Sequence, residues 1–171
     1  MTEKTVESRV VGSIREVDGV GVVRMEDSYD TTPEDLWTAM TDPARLARWI
    51  ADVKGELAVG GAFHVTFTSG WEGPGRVDVC EPAHRLLVTL SPGEDDETVI
   101  EAELVADGGR TWLWVEERGI PVPELPGNGA GWQVHVEDLG TYLAGHERTD
   151  WRSRWTELIP AYRDQAPGKP A

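Results

Sequence analysis

Cysteine is almost missing from this chain of 171 residues: Cys80 stands alone. One thiol cannot close an intramolecular disulfide or supply a thiolate zinc cluster. Positive charge is scarce as well. Against 31 Asp and Glu there are 16 Lys and Arg, a formal net charge of −15 at pH 7. Such a surface repels a phosphate backbone, so no nucleic-acid partner is expected, and anionic membranes are disfavoured for the same reason. No apolar run approaches the ~20 residues of a membrane span, which argues against membrane insertion. The opening stretch, MTEKTVESR, has no apolar region of the kind a signal peptide needs, and a cytoplasmic location is the expectation. Histidine is rare and scattered. His64, His84, His135 and His146 fall on different predicted elements, with no HExxH or His-x3-His spacing, so no metal site is expected. There is no G-x-S-x-G elbow and no phosphate-binding loop. Nothing in the sequence calls for a cofactor.

Hydrophobic residues make up 39% and charged residues 27%, the composition of a globular protein. The stretch DTTPEDLWTAMTDPARLARWI, residues 30–50, holds two helix starts. Thr32-Pro33 and Asp42-Pro43 each put a capping side chain before a proline at the first helical position. Leu36, Trp37 and Met40 mark one face of the first helix. Leu46, Trp49 and Ile50 mark one face of the second. Helices this short are unstable alone, so burial of Trp37 and Trp49 must hold them.

Residues 1–19 are polar with scattered Val10, Val11, Ile14 and Val17, which suits an extra strand or an arm. Residues 20–29 read as a strand. After the short helices comes strict alternation over several segments: Phe63, Val65 and Phe67; Val77 and Val79; Leu86, Val88 and Leu90; Ile100, Ala102 and Leu104. Period two with one apolar face predicts an antiparallel sheet. No helix interrupts these strands, so they form a meander rather than βαβ units. A long helix is predicted over residues 129–147, with Trp132, Val136, Leu139 and Leu143 in one stripe and His135 and Tyr142 flanking it. The tail carries Trp151, Trp155, Leu158 and Tyr162 at helical spacing, with Pro160 expected to kink or split the helix.

The order is strand, two short helices, further strands and one long helix. The fold class is α+β: a curved antiparallel sheet of six to seven strands wrapped around the long helix. The two short helices plug one end of the curl, and a helical tail follows. In this arrangement the chain resembles the SRPBCC superfamily, the START and Bet v 1-like helix-grip fold. It is most similar there to the branch named for the activator of the heat-shock protein 90 ATPase. The stretches that carry the likeness are TTPEDLWTAMTDPARLARWI, GELAVGGAFHVTF, GRVDVCEPAHRLLVTL, GGRTWLWVEERGIP and GWQVHVEDLGTYLAG. They divide the chain into an extension over 1–19, a START-like domain over 20–147 and a helical tail over 148–171.

The resemblance implies a ligand cavity between sheet and long helix. Its expected aromatic walls are Trp49, Phe63, Phe67 and Trp132. Its expected aliphatic walls are Val77, Val79, Val88, Leu90 and Leu139. The same residues also suit a packed core without a ligand. Three polar groups are candidates to face the cavity: His135, Tyr142 and Glu117. Glu117 points inward if Leu113 and Val115 do, as the family pattern implies. A buried Glu and His can orient the polar end of a ligand or act as acid and base. Cys80 is expected on the outer face, inert.

That parity turns Trp112 and Trp114 outward, an apolar patch in need of cover. The tail stripe, the arm with Val10, Val11 and Ile14, or a second subunit in a homodimer would supply it. Both tryptophans inside would instead shrink the cavity. Three functions follow from the resemblance. The first is a binding protein for a small apolar or aromatic ligand, lipid or polyketide-like. The second is a cyclase or dehydratase using the polar groups of the same cavity. The third is a co-chaperone acting on a heat-shock ATPase.

Overall fold

The computed structural model describes residues 10–166. Eight strands form one sheet: β1 (Gly12–Val17), β2 (Val20–Tyr29), β3 (Ala51–Gly55), β4 (Ala62–Phe67), β5 (Glu72–Glu81), β6 (Arg85–Leu90), β7 (Thr98–Asp107) and β8 (Arg110–Ile120). The helices are α1 (Pro33–Thr41), α2 (Pro43–Leu46), α3 (Leu125–Leu143) and α4 (Trp151–Asp164). The strand order is β1-β2-β8-β7-β6-β5-β4-β3, with every described pairing antiparallel. This is the helix-grip architecture. The strand count exceeds six to seven because β1 and β3 pair at the two edges of the sheet.

Both short helices begin where the prolines place them. The Thr32 side chain accepts from the Asp35 N–H at 3.2 Å, and Asp42 accepts from Ala44 N–H at 3.0 Å. Neither helix is held by its own length. Leu36, Trp37, Ala39 and Met40 are buried on α1. α2 is a single turn, and Trp49 just beyond it is buried, its indole Nε1 donating to the Ala39 carbonyl at 2.9 Å. Burial of each indole contributes on the order of 3 kcal/mol. That is enough to dock a segment too short to be helical in isolation.

α3 starts and stops four residues earlier than the stripe predicts. A 3-10 turn at Val122–Glu124 leads into it, and Pro126 falls in the first turn, where its missing N–H costs nothing. Gly145, at φ +82°, ends the run in a left-handed conformation that favours glycine. α3 packs on β1 and β2, and the Tyr29 hydroxyl donates to the Val136 carbonyl at 2.9 Å.

The tail is one continuous helix through Pro160, whose ring lies on the exposed side. It docks on α3. Tyr162 is fully buried and its hydroxyl donates to Gln133 Oε1 at 2.6 Å. A Cβ at Gly129 would lie 2.6 Å from the Tyr162 ring, so only glycine lets the two helices approach this closely. Arg154 donates to both carboxylate oxygens of Glu137, at 2.7 and 2.8 Å.

Two expectations are corrected here. Leu113 and Val115 are buried, so Trp112 and Trp114 do face outward. Among the described residues of the arm and the tail, Val11, Ile14 and α4 lie with the α3 layer and do not cover them. Trp114 is instead covered by one side chain: the Arg24 guanidinium lies 4.6 Å from its ring centroid, and its Nε1 donates to Glu103 at 2.8 Å. Trp112 stays exposed. The second correction concerns β5. Its register against β6 shifts between Val77 and Val79, leaving Asp78 as an extra residue. A bulge of one residue reverses which side chains face inward. Val77 and Cys80 therefore face the core layer, and Val79 turns out beside Asp78.

Candidate functional site

Two adjoining volumes lie between the sheet and α3. The inner one is apolar, about 140 Å³. Trp49, Phe63, Phe67, Val77, Val88 and Leu90 border it, all of them among the predicted walls. Cys80 and Leu86 also border it, in the place that the bulge takes from Val79. The outer volume is about 350 Å³ and shares the walls Phe67, Leu90, Ile100 and Trp132 with the inner one. Leu139 is fully buried in the core and borders neither volume.

The polar groups are in the outer volume. Glu117 lies opposite Ile100 in the β7–β8 ladder and points inward. Its Oε1 accepts from Trp132 Nε1 at 2.8 Å, and its Oε2 accepts from Thr98 Oγ1 at 2.7 Å. Burial pushes the Glu117 carboxyl above the usual carboxylate range, against the pull of these two hydrogen bonds.

His135 sits one turn along α3 from Trp132 and is 5% exposed. Its ring packs edge-on to Trp132 at 5.7 Å between centroids, with Phe67 at 5.9 Å and Trp151 at 6.1 Å. Burial, helped by the Arg148 charge, pushes its pKa down to about 3, so the imidazole is neutral at neutral pH. His135 Nδ1 is buried without a hydrogen-bond partner, and so is Trp151 Nε1. Both rings border the outer volume.

Tyr142 is not part of this group. Arg45 Nε donates to its hydroxyl at 2.8 Å, and the Arg45 guanidinium lies 5.4 Å from its ring centroid. α3 is long enough that His135 meets the cavity while Tyr142 reaches α2 instead. Tyr142 borders a wide open groove that runs past Arg48, Arg148 and Asp150. The groove meets the cavity at Trp71, Trp151 and Glu124, which border both. This is the mouth.

Trp71, Trp151 and Thr98 were missed from sequence. Trp71 sits in a Gly-rich turn, where no periodicity marks a facing residue. Its ring lies 5.9 Å from Phe67. Trp151 was visible only as part of the tail stripe. Among the described residues, no group of three His, Cys, Asp or Glu side chains could hold a metal ion. No helix among them is long and apolar enough to cross a membrane. The chemistry on offer is a carboxyl whose pKa is raised by burial, a neutral imidazole and three indole rings.

Comparison with known proteins agrees with this picture of the fold. Residues 30–144 match the family described as "Activator of Hsp90 ATPase homolog 1-like protein". The crystal structure of CalU16 from Micromonospora echinospora superposes with a TM-score of 0.72 at 24% identity, over 91% of this chain and 95% of that one. DynU16, a protein in the dynemicin biosynthetic locus, is 31% identical with a TM-score of 0.68 over 75% of this chain; the match spans 50% of DynU16. Protein MLL2253 from Mesorhizobium loti is 25% identical with a TM-score of 0.65, over 72% of this chain and 96% of that one. No curated protein matches the chain.

Proposed function

The chain belongs to the activator of Hsp90 ATPase homolog 1-like family, and on that premise we propose that it is a binding protein for a small apolar or aromatic ligand, lipid or polyketide-like, held between sheet and α3. One observation carries this reading. The inner apolar volume adjoins, across shared lining residues, an outer volume with a few convergent polar groups. Together they fall in the ~300–1,000 Å³ range of small-molecule sites, which are mostly apolar with a few placed polar atoms. An apolar body would lie along Phe67, Val88 and Leu90, and a polar end would meet Glu117 and His135. The likeness to DynU16, from a biosynthetic locus, supports a ligand of natural-product type.

A second reading rests on the same two polar groups. A carboxyl whose pKa is raised by burial and an imidazole that stays neutral could serve as acid and base at one cavity. A cyclase or dehydratase would use them so. Loss of turnover in both Glu117→Gln and His135→Gln, with ligand affinity kept, would select this reading over simple binding. The ATPase-activator reading rests on the family's name alone.

Native mass spectrometry of freshly purified protein, set against the denatured mass, tests the binding reading. A non-covalent small molecule lost on denaturation is expected. An apo mass, together with no fluorescence gain of added N-phenyl-1-naphthylamine, would reject it.

A further inference from the structure

The outer volume has a charge character that the binding reading does not use. Three carboxylate residues border it: Asp96, Glu117 and Glu124. Neither Lys nor Arg does, among the described residues. Three indoles, Trp71, Trp132 and Trp151, border it too. The negative faces of aromatic rings attract a cation, most strongly tryptophan and most strongly where water is excluded. Resting on the binding reading, we propose that the ligand carries an organic cation, an ammonium group attached to an apolar or aromatic body. The cation would be seated in the outer volume against Glu117 and the indoles, with the body reaching into the inner volume.

The geometry fits that ligand at both ends. Each Glu117 oxygen accepts one hydrogen bond, from Trp132 or Thr98, and a carboxylate oxygen has room for a second. An incoming cation therefore displaces no existing bond. It also supplies the counter-charge that a buried carboxylate otherwise lacks. His135 adds no opposing charge, because the buried ring is neutral. Its Nδ1 is buried at this cavity without a hydrogen-bond partner. Arg48, Arg148 and Arg152 border the open groove outside and not the cavity, and of these the Arg148 charge is felt at His135. The net charge of −15 draws cations toward the whole molecule.

The test uses three probes of one shape class on the full chain, read by tryptophan fluorescence or calorimetry. They are phenethyltrimethylammonium, its neutral carbon isostere (3,3-dimethylbutyl)benzene, and anionic 4-phenylbutanoate. The cation is expected to bind at least about tenfold tighter than either of the others. In Glu117→Gln, which keeps an acceptor for Trp132, that preference should fall several-fold. Equal binding of cation and neutral isostere would overturn the cation assignment and leave the binding reading standing. Binding of none of the three would overturn both. A preference that survives Glu117→Gln but vanishes in the Asp96→Asn/Glu124→Gln double variant would place the charge at those two carboxylates and overturn the role given to Glu117. The three-probe comparison on the unaltered chain decides the cation question even where Glu117→Gln fails to fold.

Discussion

Trp132 Nε1 donates a 2.8 Å hydrogen bond to Glu117 Oε1, joining the long helix to β8 at the floor of the cavity. The same indole is a wall of both volumes and packs edge-on to His135. Trp132 therefore links the apolar and the polar parts of the site. Its hydrogen bond holds the Glu117 pKa down against burial. Trp132→Phe keeps an aromatic wall and removes only the donor. The Glu117 pKa should rise further in this variant, followed by carbon-13 NMR of the labelled carboxyl. An unchanged titration would mean that the bond does not hold in solution.

Ala102 is central in β7, 2% exposed, and borders the inner volume. Ala102→Phe should fill that volume. Overpacking costs about 1–3 kcal/mol, so the variant should still fold with a lowered melting temperature. Affinity for N-phenyl-1-naphthylamine should drop by about tenfold or more, a loss of roughly 1.4 kcal/mol. Unchanged affinity would place the apolar body elsewhere.

The tail is bound into the fold by Tyr162, whose hydroxyl meets Gln133 in a fully buried setting. Tyr162→Phe removes this buried hydrogen bond from Gln133 Oε1, which also accepts a long 3.4 Å bond from Val11 N–H. The expected loss is about 1–2 kcal/mol in chemical denaturation. Removal of residues 149–171 should cost far more, since Leu158, Ile159 and Tyr162 are all buried. A truncated chain that melts at the same temperature would contradict this packing.

Asp138 on α3 is fully buried, and its Oδ1 accepts from the backbone N–H and the hydroxyl of Thr149. Its Oδ2 has no partner. Burial raises its pKa to about 6, with the Glu137 charge adding and Thr149 and Arg148 opposing. The folded value lies above the unfolded one. This group's contribution is therefore fully present below about pH 4 and is lost as pH rises through about 6. His135 runs the other way: with a folded pKa near 3, its contribution is present above about pH 6.5 and is lost as pH falls toward 3. Asp138→Asn leaves His135 in place, so the difference between the two proteins isolates Asp138. The wild type should gain about 2 kcal/mol relative to Asp138→Asn between pH 7 and pH 4.5. Urea unfolding at both pH values measures it, and a flat difference would rule out the raised pKa.

The capping prolines, the alternation of β4, β6 and β7, and the apolar stripe of α3 were legible because each is a local pattern with a fixed period. The β5 bulge was not. VDVC reads as clean alternation, and the extra residue at Asp78 follows from pairing with β6, which no period encodes. That single shift exchanged Val79 for Cys80 at the cavity. Glu117 followed from the parity of β8 only once the family resemblance placed Leu113 and Val115 inside. Tyr142 was placed on the same helix face as His135, but α3 outruns the cavity, and Arg45 of α2 takes the far end. Spacing along a helix gives a face; it does not say which neighbour lies opposite each turn. Over Trp114 an Arg24 side chain from the adjacent strand lies on the ring, a cover that a search among whole elements does not show.

The most direct test of the cavity is a proton–nitrogen correlation spectrum of the indole N–H groups during titration with N-phenyl-1-naphthylamine. The chain has eight tryptophans, which this spectrum separates. The resonances of Trp71, Trp132 and Trp151, which border the outer volume, should move together and saturate, while those of Trp112 and Trp114 on the far face of the sheet stay fixed. Movement confined to Trp112 and Trp114, or no movement at all, would contradict a ligand site between the sheet and the long helix.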